Sequence, residues 1–500
     1  MRIVADIVVV GAGFGGSITA AILQQAGFKV VLLERHKHPR FAIGESSTPA
    51  ASLLLNRLAE EYQLDYLRPL CKYGSWKQQL PNIRRGLKRG FSYFAHEAGA
   101  EFQSSPEHAN ELLVAASVSD EVGDTQWYRA DVDAYLCDQA VELGVRLFEL
   151  AHITNVSERE THVEIEFNVE GQTFEIETQF VVDATAGGGV MSSFRGRRQN
   201  ESWTQSSFKT NTRAIFGHFD GLPKWSEVIQ AAGDYPFECD DSAMHHLLND
   251  QWMWWIRFDD GTTSVGLVTK NQTSAGESTG RWNSAEAEWA DALAGFPTLR
   301  SAFDSAECST GLHATKRLQR GFRESHDNGS CHEENWRLCL PNALGFVDPL
   351  HSTGIAHTLS GVLRVTNLLI ESRDNDSLRA ERIRDYTNDV RSELNWIDDL
   401  VSGCYSHLND FPKFAAFSMC YFAAATTFER RFLEGDKSSG FLCADDKSLR
   451  NRVQALLNRD SSETAQQFED ACKEAIGPIN HVGLFNPDSP NMYAYTALPE

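Results

Sequence analysis

Five hundred residues are more than one small hydrophobic core organises, so two closely joined lobes are expected. With 46 lysines and arginines against 69 aspartates and glutamates, the formal charge is −23. Such a surface repels phosphate backbones and acidic lipid heads, which argues against nucleic-acid and membrane partners and equally suits a soluble protein in a salty environment.

The chain opens on Ile3–Val10, a short apolar, β-branched run that reads as a buried parallel strand. Gly11-Ala-Gly13-Phe14-Gly15-Gly16 follows, then helical spacing over Phe14–Gln25 and a second apolar strand at Lys29–Leu33, closed by Glu34. Gly11 permits the tight turn, Gly13 lets a pyrophosphate approach the backbone, and Gly16 lets the helix pack close on the strand. The free N–H groups of the helix start hold phosphates, and Glu34 suits the adenosine ribose hydroxyls. A strand leaving no room for a leader, ten scattered cysteines without C-x-x-C or zinc spacing, and no apolar stretch longer than Phe414–Phe428 predict a cytoplasmic protein with free thiols and no metal site.

Beyond Arg35, Gly44-Glu-Ser46-Ser47-Thr48-Pro49 reads as a loop ending in a helix N-cap, with Pro49 in the first turn of a helix to Glu61. Its hydroxyls either cap that helix or face a cofactor. Lys77–Phe94 is basic in an otherwise acidic chain, with Gly86–Gly90 predicted as a turn before an aromatic strand Gly90–Phe94. Periodicity alone makes this a solvated basic loop. A helix start follows Tyr128, with Asp131 as its cap. Ala151–Gln179 alternates like antiparallel strands, and Phe180–Gly187 is a second buried strand with Asp183 at its carboxyl end, where doubly wound sheets bind ligands.

Residues 190–335 read as a separate β-sheet substrate lobe, with strands at Asn211–Phe219, Gln251–Phe258 and Thr262–Thr269 and a helix at Ser284–Ala294. Trp252 and Trp254 share one strand face, either as sheet core or as a pocket wall. A strand at Trp336–Cys339 leads through Asp348-Pro-Leu-His351-Ser-Thr353-Gly354-Ile355 into a helix running to about Ile370. That helix start can hold an anion or a flavin carbonyl. The chain after residue 377 is mostly helical. The domain reading is therefore 1–189 with 336–370 as nucleotide-binding domain, 190–335 as substrate lobe and 371–500 as helical C-terminal region.

Four pieces, GAGFGG at 11–16, GESSTP at 44–49, WMWWIR at 252–257 and FVDPLHSTGI at 346–355, together resemble the flavin-dependent halogenases of the tryptophan halogenase family, within the FAD monooxygenase class. The resemblance implies an α/β fold with a Rossmann-type FAD-binding domain like that of glutathione reductase and aromatic hydroxylases. It implies FAD contacted by Gly11, Gly13, Phe14, Gly15, Gly16, Glu34, Arg35, Ser46, Ser47, Thr48, Arg129, Asp183, Asp348, Gly354 and Ile355, and a halide beside Thr353 and Gly354. Trp252 and Trp254 would line the substrate pocket. Hypohalous acid would reach a lysine, matched by Lys88, whose ammonium polarises it.

Two positions depart from the family pattern. Arg257 replaces the proline of W-x-W-x-I-P, and His351 stands where tryptophan-specific members carry glutamate. His351 either acts as a base when neutral or lines the flavin pocket. A phenol-like ring therefore suits the chain better than free tryptophan, as a free molecule or tethered to a carrier. No second nucleotide motif is present, which points to a separate flavin reductase. An FAD-dependent aromatic hydroxylase and a maturation flavoprotein acting on a protein partner are the alternatives.

Overall fold

The computed structural model describes residues 2–185, 208–231, 234–271, 284–321, 336–436, 440–460 and 462–497. The opening unit forms as its residues dictate. Arg2–Val10 is the strand, Phe14–Gln25 the helix and Val30–Leu33 the second strand, which pairs parallel to the first. Gly11 takes φ +100°, and a Cβ on Gly16 would lie 1.9 Å from the Gly11 carbonyl oxygen, so only glycine closes this turn.

Two large sheets carry the chain. The first runs in the order Arg146–Phe148, Val30–Leu33, Arg2–Val10, Gln172–Asp183, Val163–Val169, His152–Glu158, and Arg337–Cys339 also pairs with Gln172–Asp183. The strand expected as two pieces around Phe180 is one. Residues Gln172–Thr178 pair antiparallel with Val163–Val169, while Val181–Asp183 pair parallel with Arg337–Cys339. Val10 and Asp183 are direct partners, so the glycine turn and Asp183 share the carboxyl edge of the sheet. The part of that reading beyond residue 185 lies outside the described residues.

The second sheet contains the expected strands, observed at Thr212–Asp220, Gln251–Arg257 and Thr263–Lys270. It also recruits Ser242–Leu248, Gly90–Ala95, Glu111–Ala115 and Met492–Ala494. The two lobes are therefore interleaved in sequence, because two strands from before residue 116 and one from the C-terminus complete the sheet. Its faces alternate. Trp252 and Trp254 point into the large core shared with the helices, while Met253 and Trp255 point into a second core behind the sheet.

The predicted turn at Gly86–Gly90 is instead a strand, Arg85–Lys88, paired antiparallel with Asp124–Trp127. Gly86 serves close approach, since a Cβ there would meet the Arg257 carbonyl oxygen at 2.0 Å. The stretch is not a solvated loop, for Lys88 is fully buried and Arg85 nearly so. Asp131 does not cap the helix Arg129–Glu142, whose N-cap is Tyr128; it pairs bidentately with Arg84. Thr48 sits at the helix N-cap as predicted but without a side-chain cap bond, whereas Ser284, read as the first helical residue, is the N-cap and accepts from the Ala287 amide.

Gly354–Glu371, Asp376–Tyr405 and Phe411–Leu433 are the long helices. Phe411–Leu433 is buried along most of its length, and among the described residues no helix is long and apolar enough to cross a membrane. None of the described cysteines forms a disulfide.

Candidate active site

The glycine turn is ringed by charge. Glu34 is buried and accepts from the Ala12 amide at 2.9 Å and the His36 amide at 2.9 Å, with Arg40 beside it. Burial raises the Glu34 carboxyl, but Arg40 and these amides outweigh it and hold it below the usual range. Arg129 grips Asp133 through two bonds of 3.0 and 2.9 Å and donates to the carbonyls of Ile43 and Gly44. Asp133 in turn accepts from the Phe14 amide at the helix start.

These residues fit a dinucleotide. A Cβ on Gly13 would meet only the ends of Arg129, Arg40 and Asp133, at 3.5 to 3.7 Å, so the backbone there faces two guanidinium groups rather than packed core. Arg35 is exposed, with its Nε on His36. Phe14 packs edge-on against Trp127, and Gly15 lies where a Cβ would strike Thr358 at 2.7 Å, which locks the opening helix onto Gly354–Glu371. At the neighbouring strand end, Asp183 accepts from the amide and hydroxyl of Thr185.

The second motif is a tie between lobes. Glu45 meets His218 of the second sheet at 2.9 Å, both buried. Ser47 exchanges hydrogen bonds with the backbone of Thr125 through its hydroxyl. Ser46 Oγ and the Ser47 carbonyl accept from Lys88 Nζ at 2.9 and 2.6 Å. The ammonium also stands 3.9 Å over the Phe91 ring. Burial pulls Lys88 down to about 7, and Asp124 pushes it back up.

The third motif has two faces. Thr353 and Gly354 line a small cleft with Asn342, Phe346, Asp348 and His357. His357 meets Glu393 at 3.0 Å, and Arg364 clamps the same carboxylate. Asp348 accepts from Thr212 at 2.9 Å, from Tyr405 at 3.0 Å and from the Leu350 amide. Burial raises its carboxyl to about 7 against those donors. The Ile355 side chain belongs to the core.

His351 is absent from the cleft lining. It stacks on Tyr421 at 4.3 Å with near-parallel rings, and its Nε2 meets the Cys404 sulfur at 3.5 Å. Burial first, then His245, holds it down at about 3, so it is neutral, while its Nδ1 has no partner among the described residues. Tyr421 continues to Phe91, and His245 stacks on Tyr93 at 4.4 Å and lies 5.2 Å from Trp252. One aromatic cluster thus links Lys88 to His351.

Trp252 and Trp254 differ from open pocket walls. Trp252 is fully buried and donates to Tyr405, and Trp254 packs on Gly266 and donates to Ser264. Their chemistry is sheet core with satisfied N–H groups. Sequence reasoning missed Arg40, Asp124, Asp133, Tyr405 and Glu429. None sits in a motif; Asp124, Asp133, Tyr405 and Glu429 come to the site through contacts far along the chain, while Arg40 meets Glu34 six residues away.

The chain matches the profile of the FAD dependent oxidoreductase family over residues 6–315. It is 26% identical over 422 residues to the monodechloroaminopyrrolnitrin halogenase PrnC of Pseudomonas fluorescens, a span of 82% of this chain and 70% of that one. It is 24% identical over 438 residues to the tetracycline 7-halogenase of Kitasatospora aureofaciens, covering 86% and 74%. Among solved structures, halogenase PltM in complex with phloroglucinol and FAD superposes with a TM-score of 0.83 at 22% identity, over 96% of this chain and 97% of that one.

Proposed function

The chain belongs to the FAD-dependent oxidoreductase family, and from that premise we propose that it is a halogenase acting on an electron-rich, phenol-like ring. One observation carries the reading. The lysine matched to the halogenase pattern is wholly buried, bound by Ser46 and Ser47 of the second motif, and joined to His351 of the third through Phe91, edge-on to Tyr421, and Tyr421, stacked on His351.

FAD, when bound and reduced, would pass two electrons to oxygen, and the oxygen so activated would oxidise halide to hypohalous acid. The residues do the rest. Gly11, Gly13 and the opening helix receive the pyrophosphate, with Arg40 and Arg129 as the cationic rim and Glu34 at the ribose. Thr353 and Gly354 offer the start of an 18-residue helix to the halide. Lys88 uses two N–H groups on Ser46 and Ser47, and its third points the charge at hypohalous acid. As the ring carbon takes the halogen, the O–halogen bond breaks and the departing oxygen leaves as water with a proton from this ammonium; the proton that the ring carbon then loses restores the ammonium.

His351, being neutral, brings no negative charge to a cationic ring intermediate. A hydroxyl on the substrate supplies that stabilisation itself, which is why phenols are favoured over free tryptophan. The relative solved with phloroglucinol points the same way. A separate reductase supplies reduced flavin, and the substrate is a small aromatic, free or on a carrier.

The test is incubation of FAD-loaded protein with a flavin reductase, bromide and a panel of phloroglucinol, resorcinol, phenol and tryptophan. Mass spectrometry should show a bromine isotope doublet on the phenols. Lys88→Ala should cut halogenated product per reduced flavin consumed by at least a hundredfold. Oxygen insertion without halide would convert the reading to a hydroxylase, and no product on any ring, with a co-purifying protein, to a docking flavoprotein.

A further inference from the structure

Lys88 is a cation with no surface exposed to solvent. Both its hydrogen-bond partners, the Ser46 hydroxyl and the Ser47 carbonyl, are neutral. A buried charge is retained only where another charge answers it. The answer lies on the facing strand. Lys88 and Asp124 are direct partners in the pairing of Arg85–Lys88 with Asp124–Trp127, and their exposures are 0% and 1%.

Asp124 is itself held. Ser52, in the helix Pro49–Glu61 that follows the second motif, donates to one carboxylate oxygen at 3.0 Å. The other oxygen has no hydrogen-bond partner among the described residues. The ammonium turns to the serines and not to this carboxylate, so it is neutralised across the ladder without giving the carboxylate its third N–H.

We propose that Asp124 is the buried counter-ion that keeps Lys88 protonated at neutral pH, a positioning residue for halogen transfer. The proposal rests on the role given to Lys88 above. The other groups around the pair leave Asp124 as the natural carrier of the negative charge. Burial pushes Glu429 and the phenols of Tyr421 and Tyr495 well above their ordinary values, so these stay neutral. His245 is held at about 3 and is neutral too. Burial raises Asp124 on balance, and Lys72, Lys88 and the Ser52 hydroxyl oppose that rise, a cationic pull that offsets burial here as it does not for Glu429, Tyr421 or Tyr495. Phe91 offers only its ring face.

The experiment compares the pH profile of bromination of phloroglucinol by wild type and by Asp124→Asn, in the FAD-loaded protein with reductase. A protonated Lys88 is needed, so activity falls as pH rises through its pKa. In Asp124→Asn that alkaline limb should move down by at least one pH unit, with product at pH 8 reduced at least tenfold and largely recovered at pH 6. Ser52→Ala should move the limb the same way by less. A readout independent of turnover is the Tm of the flavin-free protein. Between pH 6 and 8 the Tm of Asp124→Asn should rise relative to wild type, because the folded chain no longer holds the Lys88 proton there. Adding Lys88→Met should abolish that rise.

An unmoved limb with a uniform loss of rate, or a Tm difference that ignores pH, would overturn the role of Asp124. Should Lys88→Ala still brominate, the reading of Lys88 fails first and is identified as the failure. If Asp124→Asn does not fold, Ser52→Ala decides alone, and an unshifted limb there refutes the proposal.

Discussion

Trp252 and Tyr405 are joined by a 2.6 Å hydrogen bond from the indole nitrogen to the phenol oxygen, and Tyr405 hands its own proton to Asp348 at 3.0 Å. The second sheet, the helix Asp376–Tyr405 and the third motif therefore share one buried polar chain, extended by Thr212 and Gln319. Tyr405→Phe would leave the Trp252 N–H without its acceptor and Asp348 short of a donor. A loss of about 2 kcal/mol in unfolding free energy is expected, read by urea denaturation.

Asp348 gives that chain a pH dependence. Its unfolded carboxyl ionises near 3.8, while burial holds the folded one to about 7. The folded chain binds more protons between those values, so stability falls as pH rises through that window. Asp348→Asn is neutral throughout and removes the slope. Its Tm relative to wild type should climb from pH 4.5 to pH 7.5, and a flat difference would show that Asp348 does not titrate so late.

The opening glycines separate fold from cofactor. Gly16→Ala drives a methyl into the Gly11 carbonyl at 1.9 Å and should leave little folded protein. Gly13→Ala meets only side-chain ends at 3.5 Å or more, so the flavin-free protein should keep its Tm within a degree or two. The same methyl stands where the pyrophosphate must approach, so FAD affinity should fall at least tenfold by fluorescence titration.

These residues also show what was legible in the chain. The glycine turn, Glu34 and Asp183 act locally, through strand, turn and helix signals within some thirty residues, and sequence periodicity reached them. Lys88 is different. Its surroundings of arginines and glycines read as a solvated turn, and only the pairing of Arg85–Lys88 with Asp124–Trp127 buries it. Ser242–Leu248 and Glu111–Ala115 went unread because their place comes from neighbours far along the chain, and Trp252, open in the sequence between sheet core and pocket wall, reads as core once Tyr405 is seen on its nitrogen.

Glu393 behaves oppositely to Asp348. Burial raises its carboxyl, but Arg364 and His357 overcome this and hold it at about 2, against 4.5 unfolded. Its stabilisation is complete above pH 4.5 and is lost as the pH falls toward 2. Glu393→Gln strips Arg364 of its carboxylate and should cost about 3 kcal/mol at pH 7. The penalty should shrink below pH 3, where the wild-type group is itself being protonated. Circular dichroism melts at pH 7 and pH 3 decide the sign.

Glu429 is the harder case, because nothing answers it. It lies near the C-terminal end of Phe411–Leu433 with 0% exposure, and neither carboxylate oxygen has a hydrogen-bond partner among the described residues. Burial first and Asp124 second push it well above the usual carboxylate range, while Lys72 and the nearby Ala50 amide pull the other way by less. An acid whose folded pKa is raised loses stability as pH climbs past its unfolded value near 4.5. Glu429→Gln should therefore stabilise the chain, and more at pH 8 than at pH 5. Because Glu429 is already neutral beside Asp124, the substitution should also leave the alkaline limb of bromination where wild type has it. A limb that moved with Glu429→Gln as it moves with Asp124→Asn would mean that the two carboxyls share the charge opposite Lys88.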